Sequence, residues 1–254
     1  MRAIKISIIT PSYNQGIFIE QTIQSVLSQN YPNLEYIVMD GGSTDNTLQV
    51  LKKYEDKLKW FSKKDNGQSD AINQGLKMAT GDIVAWLNSD DYYLPGTLEK
   101  VAQVFSSNSI QWVTGDYTIV DENGKNIHSF VRSYKNFLRL FPFRNMLFIA
   151  NYINQPSTFW RRSFQKKIGH LNEDLHFCMD YDLWLRFKKL SEPMVIPSPL
   201  SAFRIHSTSK GGTQYRKQFE EELKVLEQNN SNKLLQLFHL LHNKLITFVY
   251  FLTK

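Results

Sequence analysis

Ile83-Val84-Ala85-Trp86-Leu87-Asn88-Ser89-Asp90-Asp91-Tyr92-Tyr93-Leu94-Pro95 sets five apolar residues, then Asn88 and Ser89, before two adjacent carboxylates. The apolar run has the length and composition of a buried strand. A loop at the carboxyl end of such a strand is where open α/β sheets bind ligands. Neighbouring carboxylates repel each other unless positive charge sits beside them. A hard divalent cation, Mg²⁺ or Mn²⁺, supplies that charge through oxygen ligands. A helix start does so too, with Asp90 or Asp91 capping the segment from Leu98 to Phe105. Position alone leaves both open.

Upstream, Ile4–Thr10 reads as a strand ending at Pro11, and Ile19, Ile23, Val26 and Leu27 recur at helical spacing. Leu34–Met39 is a second strand, followed by Asp40-Gly41-Gly42-Ser43-Thr44-Asp45 and a helix with Leu48, Leu51 and Tyr54 on one face. Leu58–Ser62 is a short third strand, and a helix from about Ser69 to Ala79 stops near Gly81, a candidate left-handed cap. This β-α alternation predicts an α/β fold with a doubly wound, mostly parallel sheet. Right-handed crossovers then bring the loops at 11–16, 40–45, 65–70 and 88–91 to one edge.

Downstream the pattern changes. After a helix over 96–106, Trp112–Thr114 and Tyr117–Val120 read as strands, with a turn at 121–124 and a return strand at Ile127–Val131, a small antiparallel element. The stretch Phe137–Ile153 mixes aromatic and basic residues, as a packed helical excursion or an exposed surface. No linker divides the chain, so 1–212 is expected as one catalytic domain with halves at 1–106 and 107–212. C-terminal helices over 213–254 follow. Within them Leu234, Leu237, Leu241, Leu245, Phe248 and Phe251 recur at helical spacing, interrupted by His239, His242, Asn243 and Lys244. That predicts an amphipathic helix for a membrane surface, its own domain or a second copy (a homo-oligomer), rather than a membrane span.

Of 254 residues, 42% are hydrophobic and 21% charged, ordinary for a globular protein. Cys178 is the single cysteine, which excludes an internal disulfide and a cysteine-rich metal site and fits a reducing, cytoplasmic setting. The first apolar run ends at Pro11, too early for a signal peptide. The net charge of +6 suits phosphate-bearing ligands or an anionic membrane, and so the inner face of the cell membrane. The basic residues form no long run interleaved with aromatics, so a nucleic-acid partner is not expected.

Three clusters carry chemistry. Pro11 and Tyr13 offer a slot for a nucleoside, Asp40 an acceptor for a base N–H or ribose hydroxyl, and Asp90 a site for a cation that neutralises a diphosphate. No glycine fingerprint of the dinucleotide or P-loop type follows the first strand. Asp180 opens a helical segment, either as a general base or as a cap. Arg204-Ile205-His206 with Ser209-Lys210-Gly211-Gly212 forms a polar loop able to wrap phosphates or lend an imidazole to a metal.

Together, Thr10-Pro11-Ser12-Tyr13-Asn14, Asp40-Gly41-Gly42-Ser43-Thr44-Asp45, Ala71-x-Asn73-x-Gly75 and Asn88-Ser89-Asp90-Asp91 resemble the nucleotide-sugar half of the family 2 glycosyltransferases. Gln155-Pro156-Ser157-Thr158-Phe159-Trp160-Arg161-Arg162, Met179-Asp180-Tyr181-Asp182-Leu183-Trp184 and Phe203-Arg204-x-His206 are similar to its acceptor half and closing loop. The resemblance spans roughly residues 4–211. It implies the glycosyltransferase A fold, a nucleotide-diphospho-sugar donor, a divalent metal and inversion at the anomeric carbon. It further implies that Pro11, Tyr13, Asn14, Asp40, Gly67, Gln68, Asp70, Asn73, Asn88, Ser89, Arg204 and Lys210 serve the donor, and Asp90 and His206 the metal. Asp180 is implied as catalytic base, with Gln155, Ser157, Trp160, Asp182 and Trp184 toward the acceptor. Two positions depart from the family pattern: Asn88 replaces the first carboxylate of Asp-x-Asp, and Met179 replaces the acid before Asp180. A saccharide or lipid-linked saccharide acceptor in surface-polysaccharide assembly fits the basic, amphipathic C-terminus. A non-catalytic sugar-nucleotide binder or scaffold and a sugar-phosphate nucleotidyltransferase are the alternatives.

Overall fold

The computed structural model describes residues 4–140, 145–207, 209 and 215–252. Its sheet has eight strands in the order β3-β2-β1-β4-β7-β6-β8-β5. These are β1 Ile6–Ser12, β2 Leu34–Asp40, β3 Lys59–Ser62, β4 Ile83–Trp86, β5 Tyr92–Tyr93, β6 Trp112–Val120, β7 Thr158–Arg161 and β8 Met194–Arg204. The pairs around β1 and β2, and β6 with β8, are parallel. β7 runs antiparallel between β4 and β6, and β5 antiparallel to β8. The antiparallel component is thus built into the sheet and is not a separate hairpin.

Helices cover both faces: α1 Ile19–Leu27, α2 Thr47–Lys52 and α4 Thr97–Phe105 on one, α3 Gln68–Met78 and α8 Met179–Lys188 on the other. Alternation within single strands shows why. Ile83, Ala85 and Leu87 point into the first layer, Val84 and Trp86 into the second. A strand buried on both faces needs apolar residues at every position, which is the run quoted above. Gly75 lets α3 lie close on β1, since a Cβ there would come within 2.5 Å of Ile9.

Several sequence expectations are corrected. β1 runs through Pro11 to Ser12, because pairing with β4 ends at Ile9↔Trp86 and the nitrogen of Pro11 faces no partner there. Tyr54 lies beyond α2. Gly81 is not left-handed; it is needed because a Cβ would meet the Ser7 nitrogen at 2.7 Å. The return strand at 127–131 is replaced by a single bridge, Val120 to Asn126, and then by helix α5, Ser129–Leu140. Asp116 on β6 fixes that helix by pairing with Arg132 and Arg139.

Further along lie α6 Met146–Ile149, a 3₁₀ turn Gln155–Ser157, α7 Arg162–Ile168, α9 Tyr215–Asn229 and α10 Lys233–Leu252. Of the aromatic-basic stretch, residues 141–144 lie outside the described residues. Val225 and Leu226 of α9 are fully buried in the core shared with α8. Residues 215–229 thus pack against the same core as α8. Among the described residues, no helix is long and apolar enough to cross a membrane.

Candidate active site

At the carboxyl edge of β1 and β2 two loops are zipped together. Asn14, in the left-handed region at φ 52°, accepts the Thr44 amide on Oδ1 at 2.8 Å and donates its own amide to Ser43 Oγ at 2.8 Å. Gly16 N donates to Asp45 Oδ2, and Gln15 N to Thr47 Oγ1. Asp40, at the end of β2, accepts from the amides of Gly42 and Ser43 and from the hydroxyls of Ser43 and Ser62. Three of these donors go to Oδ2 and only the Ser43 hydroxyl to Oδ1, so Asp40 shapes the loop chiefly through Oδ2. Tyr13 stands exposed beside it, while Pro11 is buried in β1.

The loop after β4 separates its three polar side chains. Asn88 accepts from Gln68 Nε2 at 2.9 Å and donates to Asp91 Oδ2 at 3.2 Å. Asp91 is buried and also accepts the Arg204 amide at 2.9 Å. Burial, then the charge of Asp90, pushes the Asp91 carboxyl well above the ordinary range. It caps no helix: α4 starts at Thr97 behind Gly96, six residues on, without a side-chain cap. Both carboxylates are therefore excluded as its cap. Asp90 points elsewhere, its Oδ2 lying 3.0 Å from His206 Nε2. Thr22 of α1 holds this loop from below, donating to the carbonyls of Ser89 and Asp91.

Arg204 turns inward. Its guanidinium is buried between Phe18 and Tyr92, at 4.9 and 5.4 Å from their ring centres. Its donors go to Gln21 Oε1 and to the carbonyls of Asp90 and Glu122. Arg204 is a strut beneath Asp90. Lys210, the other expected cation, lies outside the described residues.

A carboxylate oxygen and an imidazole nitrogen at this separation suit one divalent ion, with Mn²⁺ accepting such a mixed set. No group of three such ligands occurs among the described residues. An ion held there would therefore need ligands beyond these two side chains.

Asp180 lies in the first turn of α8, where the cap residue is Cys178. Burial lifts its carboxyl to about 6, against the Tyr181 amide and the nearby Lys135 charge. Glu222 of α9 is buried in the same neighbourhood and raised to about 8, again chiefly by burial. The adjacent Glu221 gathers the amides leading into α8, accepting from His176 at 2.9 Å, Phe177 at 2.6 Å and Cys178 at 2.7 Å. Glu221→Ala is expected to cost about 2–3 kcal/mol in urea unfolding and to lower kcat more than it raises donor KM. Trp184, one turn below Asp180, stacks on Trp86 at 5.7 Å, linking the strand before Asp90 to the helix carrying Asp180.

The other expected residues divide. Gly67, at φ 111°, forms the entry to α3, with Asp70 accepting the Asn66 amide beside it. Ser89 is buried. Asn73 is turned away from the edge, holding Leu171 and Glu173. On the acceptor side, Trp160 and Trp184 are fully buried core residues and cannot meet an acceptor directly. Asp182 pairs with Arg186 and Asn229, and Ser157 bonds Asp116 O and Ser201. Gln155 donates to Trp86 O, yet its buried Oε1 has no partner among the described residues. Ser12 and Ser69 likewise keep unpartnered buried hydroxyls near the ends of β1 and the start of α3. Ser69 escaped notice because a serine in a helical first turn has an ordinary local explanation. Thr22 and Glu221 carry no local signal, since their partners lie 43 to 69 residues away.

The chain is similar to known proteins. The model of glycosyl transferase family 2 matches residues 7–192. An uncharacterized glycosyltransferase, RT0329 of Rickettsia typhi, is 31% identical over 216 residues, covering 82% of this chain and 66% of the relative. TuaG of Bacillus subtilis, a putative teichuronic acid biosynthesis glycosyltransferase, is 33% identical over 132 residues, 50% of this chain and 52% of the relative. The chain spans from about two thirds down to 37% of the length of the first curated relatives it matches. Among solved structures, S. aureus TarS 1–349 in complex with UDP-GlcNAc superposes with a TM-score of 0.70 at 21% identity, over 89% of this chain and 66% of that one. Mannosyltransferase PcManGT of Pyrobaculum calidifontis, with GDP-Man and Mn²⁺, gives 0.69 at 18% identity, over 88% and 65%. The fold is the glycosyltransferase A fold.

Proposed function

Because the chain belongs to glycosyl transferase family 2, we propose that it moves a sugar from a nucleotide-diphospho-sugar to an acceptor hydroxyl with inversion. The observation that carries this is the meeting of Asp90 and His206, 3.0 Å apart, at the carboxyl edge of β4. The loops at 11–16 and 40–47 are zipped together at the same sheet edge, and 88–91 meets 204–206 there. The nucleoside lies along the loops held by Asn14 and Asp40. Asp90 and His206 hold a divalent ion, Mn²⁺ or Mg²⁺, which when bound draws charge from the departing diphosphate. Asp180 takes the proton of the acceptor hydroxyl. Inversion requires base and leaving group on opposite faces of the reacting carbon, so the two sites belong to different elements. A carboxyl near 6 is mostly ionised at pH 7 yet basic enough to accept a proton. The kinship with TuaG supports a saccharide or lipid-linked saccharide acceptor in surface-polysaccharide assembly.

The test is a panel of UDP- and GDP-sugars offered with saccharide acceptors, with nucleotide release measured in Mn²⁺ and in EDTA. The expected result is release from one donor class, reduced at least ~10-fold by EDTA and restored by Mn²⁺. Nucleotide release that EDTA leaves unchanged removes the ion from Asp90 and His206. No release from any donor overturns the enzymatic assignment.

A further inference from the structure

We infer that α10, together with the exposed edge of α5, forms a surface that seats on an anionic lipid bilayer. The helix is turned opposite to the usual amphipathic arrangement, in which the apolar stripe faces the core. Gln236, His239 and Asn243 are buried, whereas Leu234, Leu237, Phe238, Leu241 and Leu245 are 44–60% exposed. Hydrogen bonds fix this rotation. His242 Nε2 meets Tyr134 Oη of α5 at 2.8 Å and Gln236 donates to the Asn230 carbonyl at 2.7 Å, while Asn243 Nδ2 and His239 Nε2, 3.0 Å apart, satisfy each other within the helix. Rotating α10 to bury its leucines would break the bond to Tyr134 and pull His239 off the Tyr181 ring. Tyr134 also brings α5 alongside, adding exposed Phe130 and Leu140.

Charge selects the occupant. Residues 231–254 contain Lys233, Lys244 and Lys254 and no Asp or Glu. Lys233 and Lys244 are exposed beside the apolar stripe. A two-fold contact with a second copy would press like charges together, whereas an anionic headgroup layer complements them and the acyl boundary takes the leucines. With no spanning helix among the described residues, α10 lies along the surface. Its His239 stacks on Tyr181, the residue after Asp180, so the bilayer-facing helix braces the helix proposed to meet the acceptor. The inference concerns binding and stands apart from the transfer chemistry.

Flotation of the full chain with phosphatidylcholine vesicles, with and without phosphatidylglycerol, tests it. Recovery with the anionic vesicles is expected, weakened by high salt, and lowered at least ~10-fold in Leu237→Glu/Leu241→Glu. Lys233→Glu/Lys244→Glu, confined to exposed positions, should lose the preference for anionic vesicles and guards against misfolding of the first variant. Absence from the anionic fraction overturns the inference, as does recovery unchanged by either pair. So does a dimer, seen by light scattering, that Leu237→Glu/Leu241→Glu dissolves in a protein that ignores vesicles. Vesicle binding without any sugar transfer would sink the proposed enzymatic function and leave this surface standing.

Discussion

Asp180→Asn is expected to lower kcat for sugar transfer by roughly 10²–10⁴-fold while donor affinity stays within about twofold. The substitution keeps the shape of the side chain and removes only its capacity to accept a proton. Local packing should survive, because the Asn side-chain oxygen can still accept the Tyr181 amide that Asp180 Oδ1 accepts. The pH dependence gives a second readout. The transfer rate should climb between about pH 5 and pH 7, with its inflection near 6 as the carboxyl ionises. In the variant that inflection should vanish. The linkage runs the other way for stability. A carboxyl whose folded value exceeds its unfolded one favours folding when protonated. That contribution is complete below the ordinary carboxyl range and lost as pH rises through about 6. Asn never ionises, so the variant should be at least as stable as the parent at pH 8. Transfer near the parental rate, or loss of donor binding, would remove Asp180 from the role of base.

Arg204→Ala is expected to lower unfolding stability by about 3–5 kcal/mol, measured by urea denaturation. The side chain is 3% exposed, sandwiched between two aromatic rings, and its guanidinium satisfies the carbonyls of Asp90 and Glu122. Removing it leaves a cavity and unpaired buried acceptors. Arg204→Lys should recover little, since an ammonium cannot reproduce the planar fork that serves three acceptors while stacking. Any loss of donor binding should accompany loss of structure, because Arg204 supports the Asp90 backbone and its guanidinium is bonded within the protein. A variant that folds with parental stability yet fails to bind nucleotide sugar would return Arg204 to the diphosphate.

Arg204 also marks how far sequence reasoning reaches. Its place after an apolar strand and two residues before His206 is legible, and His206 does meet Asp90. Whether a guanidinium turns outward to phosphate or inward beneath a loop depends on Phe18, Tyr92 and Gln21, which local sequence does not mark as its neighbours. Trp160 and Trp184 show the same limit. Aromatic residues within acceptor-side motifs suit sugar stacking and core packing equally, and only assembly with Trp86, Trp112 and Phe187 places them in the core. The start of α5 reads in sequence as a return strand at 127–131 because a turn at 121–124 is locally compatible with a hairpin, while Asp116, which holds the helix, lies outside that window.

The residues alone determined the alternation of strands and helices, because burial on both faces demands apolar runs such as Ile83–Leu87 and one-sided burial demands helical spacing. They also determined that the loops at 11–16, 40–45 and 88–91 share an edge, since parallel strands with right-handed crossovers bring their carboxyl ends together. Tertiary structure decided which polar groups at that edge are spent within the protein and which remain for a ligand. Asp40, Asp91 and Arg204 are drawn into internal hydrogen bonds, while Asp90 is left facing His206. It also decided that α10 turns its leucines outward, a rotation set by Tyr134, which lies 108 residues from its partner His242. In each case the deciding partner is distant in sequence, and the cost of burying an unpaired polar group selects the arrangement.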